Sequence, residues 1–180
     1  MQDEGKEIKL RSLQYPGATS YVKRYSPKHV FRAGALVWLK DKGRDYYLVF
    51  RSLTRPNRGI QIPGGRIERF ENLAQTVTRE IKEETGIDVK IVCPLGFAYF
   101  EDPTRKASNL QIYYIVRPTA RIDVSKRWFF TDKDKTRQQL ECWFEPVDKS
   151  TDFLSVGHDK VVEMFRDWLR EHNPNFESDN

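Results

Sequence analysis

Between Gly65 and Ile87 the chain reads GRIERFENLAQTVTREIKEETGI, and no other stretch constrains fold and chemistry as tightly. Asn72 followed three residues later by Gln75 has the form of a capping box, which starts a helix at Leu73. Gly86 stands where such a helix ends on a left-handed residue. Leu73, Ala74, Val77 and Ile81 form the apolar arc. Beside it, Glu80, Glu83 and Glu84 at i, i+3 and i+4 share an arc of about 100°. Three carboxylates this close repel one another, and a bound divalent cation is what keeps all three ionised. Clustered carboxylate oxygens suit Mg²⁺ or Mn²⁺, which keep waters and share them with phosphates. The competing reading is a solvated acidic face. The flank argues against it: the short apolar run Gly59-Ile60-Gln61-Ile62 breaks at Pro63 into an expected tight turn at Gly64-Gly65. Without Cβ atoms, backbone there can approach a ligand closely.

A length of 180 residues suits one domain with a real core. Hydrophobic residues at 38% and charged ones at 32% fit a soluble globular protein. No apolar run approaches the roughly 20 residues that span a bilayer, and MQDEGKEIKL lacks a signal-peptide core. A cytoplasmic location is the expectation, with Cys93 and Cys142 as reduced core cysteines and a disulfide between them left open. The net charge is +5 in spite of the acidic helix, so cations gather elsewhere. Arg51, Arg55 and Arg58 punctuate the loop before the glycines, and Arg121, Lys126, Arg127, Lys133, Lys135 and Arg137 outnumber their acidic neighbours. Such clusters suit a polyanionic substrate, nucleotide or nucleic acid, and equally an ordinary soluble surface.

Residues 1–27 read as an arm or an extra edge strand, 28–172 as the domain and 173–180 as a polar tail. His29–Leu39 and Tyr46–Phe50 form a hairpin across Asp41-Lys42-Gly43-Arg44. Val89–Phe100, Leu110–Val116 and Gln139–Val147 are further strands. From Val161, apolar residues at helical spacing give a terminal amphipathic helix that should cover the sheet.

The segment resembles the signature of the Nudix hydrolases, G-x5-E-x7-R-E-U-x-E-E-x-G-U with U apolar. Gly65, Glu71, Arg79, Glu80, Ile81, Glu83, Glu84, Gly86 and Ile87 fill every fixed position. The resemblance implies an α/β/α sandwich around a mixed sheet, and Mg²⁺-dependent cleavage of a diphosphate bond in a nucleoside diphosphate linked to another moiety. It makes the Gly65 carbonyl a metal ligand beside Glu80 and Glu84, with Glu83 a further ligand or the base that activates water. Arg79 orients Glu71 or a catalytic glutamate through a bidentate pair. Gly64, Glu71 and Gly86 support the site. Some members take a further acid from beyond the signature. Glu141 is the first choice and Glu101 its rival, and an exposed strand residue is the alternative reading of Glu141. His158 and His29 read as solvent-facing or helix-start residues rather than bases.

Arg51, Arg55 and Arg58 are the expected phosphate contacts, with Tyr99 the aromatic that stacks on the base. Of Phe97, Phe100 and Trp128-Phe129-Phe130, all but one or two read as core. Pro103, sixteen residues past Ile87, is placed like a proline in ADP-ribose pyrophosphatases of the family, and Thr104 and Arg105 stand where diadenosine polyphosphate hydrolases carry a tyrosine. The expected substrate is therefore a nucleotide sugar such as ADP-ribose. A nucleoside-triphosphate-sanitising or RNA 5′-end activity is the alternative, and a non-catalytic ligand sensor is the third reading. RNA is a less favoured partner, a membrane is not expected, and a homodimer is left open.

Overall fold

In the computed structural model, one long strand organises the rest. The structure describes residues 11–13, 28–102, 107–132, 137–155 and 157–172, with 11–13, 28–29, 99–102 and 107–109 by backbone alone. The organising strand is β2 (Lys28–Asp41), which on one edge runs parallel to β7 (Ala107–Pro118), from Lys28 opposite Ala107 to Val37 opposite Val116. Its other edge is divided. β5 (Gly64–Arg66) lies antiparallel to Arg32–Gly34, and β3 (Arg44–Ser52) pairs only from Trp38 to Asp41. β2 and β3 therefore part beyond their hairpin, where Lys42 (φ 48°) and Gly43 (φ 87°) supply the positive dihedrals a tight hairpin turn uses. The chain from β4 (Ile60–Gln61) through β5 fills the opening, with β4 against Phe50 and Arg51 of β3.

The full order is β1-β6-β7-β2-β3-β9-β8, where β1 is Arg11–Leu13, β6 Val89–Asp102, β8 Trp128–Thr131 and β9 Gln139–Pro146. β1 adds to the edge in parallel with Gly96–Ala98. Alternation along the strands sorts side chains to two faces. Ala33, Ala35, Val37, Leu48, Phe50, Leu140, Cys142 and Phe144 pack with Val77 and Ile81 of α1 (Leu73–Thr85). Leu36, Trp38, Tyr47, Val49, Tyr113, Ile115 and Trp143 pack with Val161, Val162, Phe165 and Leu169 of α2 (His158–His172). The result is the mixed α/β architecture of a sheet with a helix on each face.

α1 is bounded as its sequence dictates. The Asn72 side chain accepts from the Gln75 N–H while the Gln75 side chain accepts from that of Asn72, and Gly86 closes the helix in the left-handed region (φ 79°). The buried face differs from the expected one. Thr76, Val77, Ile81 and Thr85 are buried, whereas Ala74 is exposed. Both threonines pay little for burial, because their hydroxyls donate to the Asn72 and Ile81 carbonyls.

Two expectations about local structure are corrected. Gly64-Gly65 is no tight turn; neither glycine has positive φ, and both sit in β5. Trp128–Thr131 forms a strand that the polar surroundings hid, and Arg51 lies inside β3 because Glu141 of β9 pairs with it. Cys93 and Cys142 are free thiols, the second pushed up to about 12 by burial. Among the described residues no helix is long and apolar enough to cross a membrane.

Candidate active site

Close approach of the β2 backbone requires Gly64, and Gly65 lies directly against a carboxylate. A Cβ on Gly64 would lie 2.7 Å from the Ala33 carbonyl oxygen, and one on Gly65 only 1.9 Å from Oε1 of Glu80. β5 is thus pressed between β2 and the carboxylate side of α1, which brings the Gly65 backbone and Glu80 together. The Gly64 N–H donates to Oε2 of Glu84 (3.0 Å), and the Gly64 carbonyl accepts from Nη2 of Arg32 (3.1 Å). One peptide strand therefore ties a carboxylate of α1 to a guanidinium of β2. Further back, Ile62 N–H donates to Nδ1 of His158 (3.0 Å), and Ile60 O accepts from the Ser155 N–H and hydroxyl (2.9 Å each). The strand under the site is anchored at both ends.

Arg79 gathers the remaining carboxylates. Its Nε and Nη2 form a bidentate pair with Glu71 (2.6 and 2.9 Å), and Nη1 donates to Glu80 (3.0 Å) and Glu83 (2.9 Å). Nη2 also donates to the Arg66 carbonyl (3.0 Å), joining α1 to the end of β5. The Arg79 guanidinium holds the Glu71 carboxyl down at about 2 and is itself raised, first by Glu71. Glu80 and Glu84 move the other way. Burial raises both, Glu84 well above the usual carboxylate range, and the charge of Glu80 adds to the shift of Glu84. Glu84 is deep in the fold yet still reached by solvent.

A divalent cation suits this donor set. Glu80 and Glu84 are sunken carboxylates that repel each other, and a hard cation would favour their ionised forms while accepting oxygen ligands from Glu83 and the Gly65 carbonyl. Among the described residues, no three acidic, histidine or cysteine side chains converge on one point as they stand. Glu80 and Glu83 instead meet at Nη1 of Arg79. A cation competes with one guanidinium for those two carboxylates, and Glu71 gives the guanidinium somewhere to stay.

The other expected site residues fall into separate places. Glu141 is buried, not exposed, and alternation puts it on the α2 face with Trp143, across the sheet from α1. It accepts from Nε of Arg51 (2.6 Å) and Nη1 of Arg127 (3.1 Å). Burial pushes its carboxyl up, but the two arginines outweigh that and hold it below its ordinary value. Arg55 and Arg58 flank the turn before β4 and are exposed, with no ion pair among the described residues. The side chains of Tyr99, Glu101 and His29, and the whole of Pro103, Thr104 and Arg105, lie outside the described residues. Trp128 and Phe130 pack on the α1 side, with Trp128 Nε1 donating to Thr85 O (2.9 Å), while Phe129 is 71% exposed.

Sequence reasoning passed over Arg32 and His158 as a buried anchor, and named Arg127 only as one of a basic cluster. His158 starts α2 as expected but is buried, not solvent-facing; burial lowers it to about 4, with the charge of Arg32 contributing. Arg32 makes a single hydrogen bond and no ion pair among the described residues, though its charge reaches Glu80 and Glu84. The signal was there: one arginine interrupts the apolar run HVFRAGALVWL.

The NUDIX domain family matches residues 30–170, and the chain belongs to that family. Nudix hydrolase 10 of Arabidopsis thaliana is 27% identical over 131 residues, 72% of this chain and 45% of its own length, so the chain spans less than half of that curated relative. A Bacillus subtilis protein provisionally named an 8-oxo-dGTP diphosphatase, YtkD, is 38% identical over 74 residues, 39% of each chain. In architecture the chain is similar to the MutT protein of Methanosarcina mazei Go1, at TM-score 0.59 and 21% identity over 83% of this chain and 99% of that one. A C. elegans Ap4A hydrolase complex gives TM-score 0.61 at 17% identity, covering 79% and 98%.

Proposed function

We propose that the protein is a Mg²⁺- or Mn²⁺-dependent hydrolase of a nucleoside diphosphate derivative, with nucleotide sugars such as ADP-ribose the favoured substrates. The observation that carries this reading is the pair of half-buried carboxylates, Glu80 and Glu84, gathered around a glycine strand in which a Cβ would meet the β2 backbone at Gly64 and the Glu80 carboxylate at Gly65. Drawing two like charges partly out of water side by side is costly without a cation, and the family signature is complete around them.

In this reading Glu80, Glu83, Glu84 and the Gly65 carbonyl hold the cation, which when bound stabilises the charge that builds on phosphate oxygens. Glu83, more exposed than Glu80, is the first candidate to take a proton from the attacking water. Glu141 is the second, and its place across the sheet sets the two apart. Arg79 orients the carboxylates; Glu71 fixes Arg79; Gly64 and Gly86 fix the strand and the helix end. Arg51, Arg55, Arg58 and Tyr99 are the proposed substrate contacts.

The preference for nucleotide sugars rests on Pro103 at its family-like spacing and on a moderate positive charge. The likeness to YtkD favours a second reading, a nucleoside triphosphate substrate. Phosphate-release assays on ADP-ribose, 8-oxo-dGTP, diadenosine tetraphosphate and triphosphorylated RNA, each with Mg²⁺ or with chelator, test both. Fastest metal-dependent cleavage of ADP-ribose supports the first reading. Fastest cleavage of 8-oxo-dGTP replaces it with the second, and cleavage of none leaves the domain as a ligand sensor.

A further inference from the structure

On the face away from α1, one carboxylate is enclosed by two arginines. Glu141 is only 6% exposed, yet it is covered by side chains rather than sunk in the fold: Arg51 and Arg127 close over it, and each of them is 51% exposed. Arg127 is further fixed by its guanidinium carbon, 4.3 Å from the ring centre of Trp143. A guanidinium carries five N–H donors. Among the described residues Arg51 and Arg127 each spend one on Glu141 and no other on a protein partner. The group is left with a formal charge of +1 and a fan of donors directed by a single buried anchor.

Beside this clasp stands a largely exposed aromatic ring. In the β8–β9 register Phe129 is directly opposite Glu141, and opposed residues of an antiparallel pair share a face. Its neighbours Trp128 and Phe130 turn to the α1 core, whereas Phe129 is exposed. Arginines that grip an anion next to an open aromatic face match a phosphate attached to a nucleobase, because every base has a ring face to stack.

We propose that Arg51, Arg127 and Phe129 form a subsite for the nucleoside monophosphate end of the substrate, and that Glu141 is the positioning residue that sets the two arginines. The proposal rests on the nucleotide reading above and gives Glu141 a task other than taking a proton. Equilibrium titration calorimetry on the metal-free full chain, with AMP, ribose 5-phosphate and adenosine as probes, tests it without any turnover. Wild type is expected to bind AMP more tightly than either fragment. Arg127→Ala and Glu141→Gln are expected to weaken AMP and ribose 5-phosphate about tenfold while leaving adenosine unchanged. Phe129→Ala is expected to weaken AMP and adenosine about tenfold and leave ribose 5-phosphate unchanged. Arg127 and Phe129 are exposed, so their truncations do not open the core, and those two variants decide the matter if Glu141→Gln fails to fold. AMP binding within twofold of wild type in both, or no AMP binding by wild type at millimolar concentration, overturns the subsite. A protein that shows the expected pattern but cleaves no diphosphate would overturn the hydrolase reading instead and leave the subsite standing.

Discussion

The two faces of the sheet carry charge assemblies of opposite composition. On α1 a single guanidinium, Arg79, is shared among Glu71, Glu80 and Glu83, leaving a formal charge of −2 before Glu84 is counted. On β9 a single carboxylate, Glu141, is shared between Arg51 and Arg127, leaving +1. In each the minority charge organises the majority, and the surplus defines what the assembly can accept. The first has spare oxygen ligands and suits a cation; the second has spare N–H donors and suits an anion. A substrate with both a diphosphate and a nucleoside gives both surpluses something to do.

The largest expected effect comes from reducing the negative surplus. Glu84→Gln and Glu83→Gln should each lower kcat by about 100-fold or more at saturating Mg²⁺, with circular dichroism unchanged, since the amide keeps the volume and loses the charge. Wild-type turnover in both would move the chemistry away from α1. Gly65→Ala attacks the same assembly through shape. A methyl 1.9 Å from the Glu80 carboxylate must push it aside, so activity should fall by about tenfold or more while the melting temperature moves little.

Arg79→Ala removes the organiser rather than a ligand. Its expected signature is a fall of about ten- to 100-fold in kcat with KM nearly constant. Arg79→Lys should recover little of this, because an ammonium cannot make the bidentate pair with Glu71 while also reaching Glu80 and Glu83. A rise in KM alone would make Arg79 a substrate clamp and erase the contrast with Arg51 and Arg127.

The effect furthest from the chemistry is on stability. His158 is lowered to about 4 in the fold against an ordinary value of 6.5, so the unfolded chain binds its proton first. Its contribution is complete above about pH 6.5 and is lost as pH falls toward 4, by about 3 kcal/mol in all. Glu80 and Glu84 are raised and push oppositely in the metal-free protein, so urea unfolding of wild type against His158→Asn isolates the imidazole. Equal pH slopes for the two proteins would contradict the buried, neutral His158.

What could be read from the chain follows the range of the interactions. The bounds of α1, its caps and its carboxylate arc are set by residues within four positions of one another, and Asn72, Gln75 and Gly86 appear in the structure as the sequence places them. The strands at Lys28–Asp41, Val89–Asp102 and Gln139–Pro146 were legible from apolar content. The errors all depend on distant partners. Gly64-Gly65 reads locally as a turn and becomes a strand because β2 lies 30 residues earlier and accepts it at Arg32–Gly34. The alternative reading of Glu141, an exposed strand residue, fails because Arg51, 90 positions away, folds over it. Arg32 in an apolar strand, and His158 receiving the Ile62 N–H across 96 positions, are visible only once the chain from β4 to β5 lies beside β2 and meets the start of α2.

Manganese titration followed by electron paramagnetic resonance, on wild type, Glu84→Gln and Glu141→Gln, tests most directly the claim that the two assemblies bind opposite charges. The expected result is saturable Mn²⁺ binding by wild type and Glu141→Gln alike, with affinity at least about tenfold weaker in Glu84→Gln. Undiminished binding by Glu84→Gln, or loss of binding in Glu141→Gln, would place the cation away from the glycine strand and contradict the division of labour between the two faces.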